Sequence, residues 1–270
     1  MDEAASRIAA SANAFSYDTQ IFKDYIDTAP HLKHPSLQLF YARLVTQLFD
    51  VAAKHTTTPE VLDLGAGEGS ATKLFLEAGA KVTAVDISRH QLDVLSTTCA
   101  RFGDKLSVRC EDISDVLKSD ERKYDIVVAI SFLHHVPDDV GLIRQAIGLL
   151  GPHGQFFAFQ DPLRYDSLGF STRAFSFVAF YWWRIFKGDL VNGMKRFIRR
   201  SRGIYDESVQ DNAEYHVVRN GVDQEAIVNF VRGEGLQCEL VSYFSTQNAF
   251  FQRLGSALGM KNTFAVIVRK

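Results

Sequence analysis

The sequence predicts an α/β fold in which a doubly wound, mostly parallel sheet of seven strands carries helices on both faces. Short apolar runs bounded by turn residues alternate along the chain with segments whose apolar residues repeat at helical spacing. A glycine-rich turn joins the first apolar run to the next helical segment, which is a usual place for a ligand in such folds. The chain has 270 residues, of which 46% are hydrophobic, so it is long enough for one sizeable core. We therefore expect one domain over residues 1–270.

The first part of the chain predicts three helices and two strands. Apolar residues recur at helical spacing over residues 35–54, which indicates a long helix beside the first strand. That strand covers residues 61–64, and a helix over residues 71–78 follows its glycine turn. A second apolar strand covers residues 81–85, and residues 88–91 form a capping box that begins the next helix. This helix is expected to end at a glycine near residue 103.

The second part of the chain supplies the remaining strands. They are expected at residues 106–110, 124–130, 155–160, 238–244 and 263–268. A helix over residues 138–150 joins two of them, and Asp223 is placed to cap another helix before the last two. Alternation of this kind is typical of a doubly wound sheet.

The loop after the first strand indicates the type of ligand. Gly65, Ala66 and Gly67 belong to a G-x-G-x-G turn, whereas a dinucleotide loop has the spacing G-x-G-x-x-G. Asp63 precedes this turn, and a carboxylate there would repel a pyrophosphate and attract a cation. S-adenosylmethionine carries both a sulfonium and an ammonium group. At the end of the second strand, the Asp86 carboxylate can accept two hydrogen bonds from a ribose.

These motifs resemble the class I S-adenosylmethionine-dependent methyltransferases. The resemblance covers residues 36–160 and resumes over residues 223–270. It implies a Rossmann-like sheet whose last two strands form a reversed hairpin at one edge, and S-adenosyl-L-methionine as the cofactor.

The resemblance also implies further contacts with the cofactor. The expected set is Ile87 after the second strand, Asp112 and Ile113 at the adenine, Ile130 and Ser131 at the methionine end, and Tyr17 in an N-terminal lid over residues 1–55. Two alternatives stay open. Asp112 could cap a short helix that begins near Ser114, and Asp63 could accept hydrogen bonds from loop amides instead of facing the ligand.

Two adjacent histidines after the fourth strand are the candidate catalytic residues. His134 and His135 point in different directions, so they are not expected to bind one metal ion, and no metal site is predicted. An imidazole can take the proton of a substrate hydroxyl, because its pKa lies close to neutral pH. The second histidine would then brace the loop. Alignment alone could also suffice, since the sulfonium is an activated leaving group.

Residues 161–220 form an insertion that the sheet does not require, and we expect it to cap the substrate pocket. Aromatic residues crowd its first part, and a basic face follows over residues 195–202. Three interpretations of this basic face stay open: a solvated surface, binding of an acidic substrate, or peripheral contact with an anionic membrane. Near the end of the insertion, Tyr215, His216 and Arg219 are candidate substrate contacts.

Composition and charge restrict the function further. A net charge of −2 gives no general attraction to nucleic acid, and the three scattered cysteines indicate reduced thiols. The first residues lack the features of a signal peptide, so a cytoplasmic location is expected. The predicted reaction is methyl transfer to a small molecule (a natural product, glycan or lipid), with a hydroxyl oxygen preferred over nitrogen or carbon. The alternatives are a nicotinamide-dependent oxidoreductase and a non-catalytic binding scaffold, and the oligomeric state stays open.

Overall fold

The computed structural model describes residues 29–186 and 220–270, and these contain a seven-stranded sheet. The strands are β1 (Glu60–Leu64), β2 (Lys81–Asp86), β3 (Leu106–Cys110), β4 (Tyr124–Ile130), β5 (Leu150–Pro162), β6 (Gln237–Tyr243) and β7 (Thr263–Arg269). Their spatial order is β3-β2-β1-β4-β5-β7-β6. The first five strands are parallel, and β7 is antiparallel to both β5 and β6. The predicted fold class, a mostly parallel sheet of seven strands whose last two strands pair antiparallel at one edge, is confirmed.

Helices cover both faces of this sheet. In the described residues they are α1 (Pro30–Lys33), α2 (Pro35–Ala52), α3 (Ser70–Ala78), α4 (Arg89–Thr98), α5 (Ile113–Ser119), α6 (Asp139–Gly148), α7 (Phe170–Phe186), α8 (Gln224–Gly233) and α9 (Ala249–Ala257). Short 3₁₀ turns occur at Ala100–Lys105, Leu133–His135 and Tyr165–Ser167. None of the helices in these two ranges is long and apolar enough to cross a membrane.

The core lies in two main layers, one on each side of the sheet. On one side, Leu44 and Leu48 of α2 and Phe75 of α3 pack with the strand residues Phe157 and Phe159. On the other side, apolar residues of α5, α6 and α8 pack against β1, β4, β5 and β7. Both faces of the central strands are therefore buried, which explains why these strands read as nearly continuous apolar runs.

The topology determines where a ligand can bind. β1 pairs with β2 on one side and with β4 on the other. After β1 the chain therefore continues toward one edge of the sheet, and after β4 it continues toward the other edge. The loops after these two strands consequently separate and leave a crevice at the carboxyl ends of the strands. All the described candidate residues belong to this end of the sheet.

A bulge near the end of β5 changes the direction of its side chains. The register shifts between Phe159 and Asp161, and Gln160 between them has a φ of 70°. Phe159 pairs with Ala265 in the core layer of α2, whereas Asp161 pairs with Phe264 in the opposite layer. Without the extra residue, regular alternation would place Asp161 on the same face as Phe159. The bulge instead turns the Asp161 carboxylate toward the turn that carries the two histidines.

Several boundaries differ from the sequence-based prediction. β5 begins at Leu150, because Leu150 pairs with Tyr124 of β4 ahead of the main ladder that starts at Gln155. The helix predicted to end near Gly103 already ends at Thr98, and a 3₁₀ turn with Gly103 at a φ of 56° follows. Helix α9, between β6 and β7, was not predicted.

Candidate active site

The glycine turn after β1 has a conformation that few other residues could adopt. Gly65 has a φ of 71° and Gly67 a φ of 54°, both in the left-handed region. The N–H groups of Gly65 and Ala66 both donate to the Val85 carbonyl of β2, at 2.9 and 3.0 Å. A Cβ at Gly65 would lie only 2.3 Å from Cδ2 of Phe132, in the loop after β4. The two loops that border the crevice therefore touch at this point, and a side chain at Gly65 would push them apart.

Asp63 lies beneath this turn and is 1% exposed. Its Oδ2 accepts hydrogen bonds from the Thr72 backbone N–H at 3.1 Å and the Thr72 hydroxyl at 2.6 Å, in the first turn of α3. Burial raises the pKa of Asp63 to about 6, and the negative charge of Asp86 adds to this effect. The contacts correspond to the alternative in which Asp63 binds groups of the loop and helix, and a direct contact with a ligand stays a prediction.

Asp86 joins the end of β2 to the glycine turn. Its Oδ2 accepts a hydrogen bond from the Gly67 N–H and its Oδ1 one from the Ser88 N–H, both at 2.8 Å. The carboxylate therefore lies at the edge of the crevice, beside the backbone of Gly67. An ionised carboxylate has about four acceptor positions, so these two bonds are compatible with further hydrogen bonds to a ribose diol. Ile87 follows and is half-buried.

Asp112 caps helix α5. Its Oδ1 accepts hydrogen bonds from the Ser114 backbone N–H at 2.8 Å and from the Ser114 hydroxyl. This is the capping arrangement that the sequence analysis left open, and contact with an adenine amino group stays a prediction. Ile113 is the first residue of α5, directly after the capping Asp112. It is 9% exposed and packs against the core.

The exit from β4 brings the chain back across the crevice. Ile130 is buried, and the Ser131 N–H donates to the Phe159 carbonyl of β5 at 2.7 Å. Ser131 has a φ of 53°, an unusual value for a residue with a side chain. This backbone turn directs the following residues over the ends of β4 and β5, where they form the 3₁₀ turn with the two histidines.

His134 forms a buried hydrogen-bonded pair with Asp161. His134 Nδ1 lies 2.7 Å from Asp161 Oδ1, and the His134 backbone N–H donates to the same oxygen at 3.1 Å. The side chains are 11% and 0% exposed, respectively. Asp161 Oδ2 is also buried, and it has no hydrogen-bond partner. Asp161 was predicted only as the first residue of the insertion, so sequence analysis missed this contact.

The protonation of the pair depends on burial and on the tautomer of the ring. When Nδ1 carries the ring hydrogen, it donates to Oδ1 and leaves the lone pair on Nε2. Burial lowers the pKa of His134 to about 4 and raises the pKa of Asp161 to about 8. Both shifts favour the uncharged forms, so near pH 6 to 7 the contact is a neutral hydrogen bond rather than an ion pair.

His135 lies beside this pair. The two imidazole rings have centroids 4.1 Å apart and planes tilted by 42°. The His135 backbone N–H donates to the Phe132 carbonyl, which closes the 3₁₀ turn. Within residues 29–186 and 220–270, no group of histidine, cysteine, aspartate and glutamate side chains could hold a metal ion.

Further polar groups lie next to the histidine turn. The Gln160 amide donates to the Ser245 hydroxyl at 2.7 Å and accepts from the Tyr243 hydroxyl at 3.1 Å. Burial raises the pKa of Tyr243 well above its usual value. His31 of α1 is completely buried beside Phe159, and neither of its ring nitrogens has a hydrogen-bond partner among the described residues. These residues come from distant parts of the sequence, and no local motif indicated them.

Four predicted site residues lie outside the described residues. They are Tyr17 of the expected lid and Tyr215, His216 and Arg219 of the insertion. The basic residues over 195–202 also lie outside. Their proposed contacts stay predictions.

Comparison with protein families and curated proteins identifies related sequences. A family model described as a methyltransferase domain matches residues 61–154, from β1 into β5. A ubiquinone biosynthesis O-methyltransferase of Coxiella burnetii is 32% identical over 127 residues, which are 47% of this chain and 50% of the relative. One from Vibrio vulnificus is 33% identical over 98 residues, 36% of this chain and 42% of the relative. The chain thus spans about half the length of the curated relatives it matches.

Solved structures extend the similarity of fold to nearly the whole chain. A magnesium protoporphyrin IX methyltransferase from Synechocystis PCC 6803 with bound SAM has a TM-score of 0.56 and 11% identity, over 97% of both chains. The N-methyltransferase NodS from Bradyrhizobium japonicum WM9, in complex with S-adenosyl-L-homocysteine, has a TM-score of 0.53 and 14% identity, over 96% of this chain and 98% of that one. At these identities the likeness concerns the fold.

Proposed function

We propose that this chain is an S-adenosylmethionine-dependent methyltransferase that modifies a hydroxyl oxygen of a small molecule, since a model described as a methyltransferase domain matches residues 61–154. The observation that carries the proposal is the contact between the Asp86 carboxylate and the Gly67 N–H. It combines a diol acceptor and a glycine-rich turn at the point where the strand order reverses.

The residues at the crevice fit the cofactor. Gly65 and Gly67 have left-handed backbone conformations and no side chains, so a ligand can approach the backbone of the turn closely. Asp63 and Asp86 are close enough for the charge of one to affect the pKa of the other, which gives this end of the crevice an acidic character suited to a cation. When bound, S-adenosylmethionine supplies a methyl group on a positively charged sulfur.

We assign the residues that would hold the cofactor by their positions around the crevice. Asp86 would accept from the ribose hydroxyls, and the backbone of Gly65, Ala66 and Gly67 would pack on the adjoining part of the cofactor. Ile130 and Ser131 would border the methionine end. The rim that would face the adenine consists of Ile87, Asp112 and Ile113.

A hydroxyl acceptor is favoured because the site contains a buried proton acceptor. A hydroxyl oxygen becomes a much better nucleophile when its proton is removed as the new bond forms. The Nε2 lone pair of His134 would take this proton, while Asp161 holds Nδ1 and therefore the tautomer. The curated relatives are named O-methyltransferases, which agrees with this choice. An N-methyltransferase shares the fold, so the argument depends on the histidine pair and not on the fold.

Proton transfer to His134 also gives Asp161 a second role. Protonation converts the ring into an imidazolium, whose Nδ1–H donates more strongly to a carboxylate than to a neutral acid. Above about pH 8 the Asp161 carboxyl is ionised, so the base is stronger there. We propose Asp161 as the positioning residue of the site. We propose that His135 holds the turn. The acceptor would be enclosed by the insertion, with Tyr215, His216 and Arg219, and by the lid that carries Tyr17.

Calorimetric titration tests the cofactor assignment. S-adenosylmethionine and S-adenosylhomocysteine should both bind, and NADH should not. Replacing Asp86 with Ala should weaken binding by about 1.5–3 kcal/mol, as expected for lost hydrogen bonds to a charged group. Asp104→Ala is the matched control, because Asp104 is an exposed acid in the 3₁₀ turn after α4. Saturable binding of NADH with no binding of S-adenosylmethionine would identify an oxidoreductase instead.

Methyl transfer to a matched acceptor series tests the choice of oxygen. With methyl-labelled S-adenosylmethionine, 4-hexylphenol should gain label, whereas hexylamine should not. His134→Ala should lower turnover by roughly a hundredfold while cofactor affinity stays within about twofold. His135→Ala should retain most of the activity. Equal turnover of the wild type and His134→Ala would leave alignment as the whole mechanism, and labelling of hexylamine alone would reject the oxygen assignment.

A further inference from the structure

His31 of α1 is a completely buried histidine in an apolar environment. Its ring lies edge-on to Tyr41 and Phe159, with ring centroids 5.7 and 5.9 Å away. Within the residues that the structure describes, neither ring nitrogen meets a hydrogen-bond donor or acceptor. A neutral imidazole carries one N–H and one lone pair, so two hydrogen-bonding positions are withdrawn from water without compensation. Such a group lowers the stability of the fold and requires a reason.

The path of α2 places His31 at the carboxyl end of β5. Where the main ladder of β5 begins, Gln155 Nε2 donates to the Leu48 carbonyl of α2 at 2.9 Å. Near the end of the strand, the Phe159 ring stacks on Tyr41 of α2, with centroids 4.8 Å apart. Helix α2 therefore runs antiparallel to β5, and α1, which precedes α2, lies at the end of the strand. The crevice opens at this same end of the sheet.

Phe159 connects His31 to the proposed reaction site. The Phe159 carbonyl accepts the hydrogen bond from the Ser131 N–H at the exit of β4, and Asp161 follows Phe159 by two residues. The bulge between them turns Asp161 away from the layer that contains Phe159. His31 and the pair of His134 with Asp161 consequently lie on the two sides of the end of one strand. An acceptor that lies across this strand end would meet both.

A second histidine shows how a buried imidazole of this segment is satisfied. His34 follows His31 by three residues and is 5% exposed, and its Nε2 lies 2.8 Å from the Thr246 carbonyl, beyond β6. This hydrogen bond fixes the end of α1 to the loop after β6. An apolar residue at position 31 could fill the space among the rings without burying a polar group. Packing alone therefore does not require a histidine there.

We propose that His31 binds a second hydroxyl group of the acceptor, which is then an aromatic molecule with at least two hydroxyls. This rests on the function proposed above, in which His134 takes the proton of the methylated hydroxyl. A hydroxyl fits because it can donate to the lone pair of the imidazole or accept from its N–H, whichever nitrogen carries the hydrogen. Burial lowers the pKa of His31 to about 4, so the ring is uncharged and does not compensate a carboxylate. The adjacent rings of Tyr41 and Phe159 favour an aromatic ligand.

Acceptors that differ by one hydroxyl test the proposal. 4-Hexylphenol has a single hydroxyl, and 4-hexylcatechol and 4-hexylresorcinol each add a second one at a different position. With methyl-labelled S-adenosylmethionine, the wild type should methylate at least one of the two diols with a kcat/KM at least about tenfold above that of 4-hexylphenol. In His31→Leu this ratio should fall close to one, and His31→Gln should retain part of it, because glutamine can also donate and accept. Equal kcat/KM for all three acceptors in the wild type, or an unchanged ratio in His31→Leu, would overturn the proposal.

Nitrogen NMR of protein with isotope-labelled histidine reports on binding without turnover. In the presence of S-adenosylhomocysteine, the preferred diol should shift the ring resonances of His31, which are assigned by their absence in His31→Leu. 4-Hexylphenol should shift them much less. The absence of a shift with either diol would refute the role of His31. If none of the phenols is methylated, the proposed function fails, and the NMR titration still decides whether His31 binds a diol.

Thermal stability separates acceptor binding from a structural role. His31→Leu removes a buried polar group and should melt at a temperature at least as high as the wild type. His34→Leu is the matched control: it removes the hydrogen bond to the Thr246 carbonyl, so it should melt lower while keeping the preference for the diol. A loss of stability in His31→Leu as large as that in His34→Leu would mean that the folded protein itself satisfies the His31 ring, which would contradict the proposal.

Discussion

Replacing Asp161 with Asn should make the protein more stable above neutral pH and less active. The side-chain oxygen of the introduced asparagine can accept the same two hydrogen bonds from His134 that Asp161 Oδ1 accepts. The amide is nearly isosteric with the carboxyl, and it cannot ionise. The wild type must either keep the buried Asp161 protonated or bury a negative charge, whereas the stability of the variant does not depend on this titration.

The magnitude follows from the pKa of Asp161, which burial raises from 3.8 to about 8. A group whose pKa is raised on folding contributes stability that is fully present below the unfolded pKa and is lost as the pH rises through the folded pKa. The loss amounts to about 1.4 kcal/mol for each pH unit inside that window. Between about pH 5 and pH 7, the wild type should therefore lose roughly 2–3 kcal/mol relative to Asp161→Asn.

Urea denaturation at several pH values measures this difference. The free energy of unfolding of Asp161→Asn minus that of the wild type should increase with pH and level off above about pH 8. Asp120→Asn is a control of opposite sign. Hydrogen bonds from Arg122 lower the pKa of Asp120, so its stabilisation is present above the unfolded pKa and lost only in acid. Asp120→Asn should thus be destabilised by a constant amount between pH 5 and pH 8.

Activity provides the second half of this prediction. With 4-hexylphenol as the acceptor, wild-type turnover should rise as Asp161 ionises near pH 8, and turnover of Asp161→Asn should be lower and lack this rise. A flat difference in stability between pH 5 and pH 8 would refute the proposed burial of a titrating carboxyl. Normal turnover in a variant with the expected stability gain would show that Asp161 is structural only.

Three further changes have definite expected outcomes. Gly65→Ala places a left-handed alanine against Phe132, which costs about 1–2 kcal/mol in the backbone alone. Calorimetry should therefore show at least about tenfold weaker binding of S-adenosylmethionine. Unchanged affinity would place the cofactor elsewhere. Thr72→Val removes the hydroxyl that donates to Asp63, so the protein should lose about 1–3 kcal/mol in urea denaturation at pH 8, and a neutral result would mean that water replaces the hydroxyl. Asn248→Ala removes the N-cap of α9 and should cost about 1 kcal/mol, with an unchanged melting temperature as the contrary result.

The sequence predicts the sheet well because each strand is a short apolar run with a clear end. Residues 106–110 and 124–130 were predicted as strands with the bounds that the structure has. The capping of one helix by Ser88 was also predicted from local pattern, and Ser88 Oγ accepts a hydrogen bond from the Gln91 N–H. Such features depend on neighbours in sequence, so a single chain contains enough information to locate them.

The histidine pair could be predicted only in part, because it depends on a change of strand register. Regular alternation places Asp161 on the face of Phe159, and only the bulge at Gln160 turns it toward His134. No property of Gln160 indicates a positive φ in advance. A weaker signal was present, since Asp161 ends a buried parallel strand, as Asp86 does. Helix α9 was missed for another reason: it buries Gln252 and Gly255, whereas Phe250 and Leu254 of its apolar stripe are exposed.

The insertion leaves and rejoins the sheet at two neighbouring points. Leu163 and Val222 pair as neighbours in space, and the Tyr165 N–H donates to the Asn220 carbonyl at 2.7 Å. The chain therefore leaves the sheet and returns to it through adjacent, hydrogen-bonded points. A Cβ at Gly221 would lie 2.4 Å from the Leu163 carbonyl oxygen, so this junction tolerates little variation. The insertion can change in length and composition without changing the distance between the two points where it joins the sheet. Under the proposal that the insertion encloses the acceptor, grafting a different segment between these two points should change the substrate range and leave the glycine turn and the histidine pair in place.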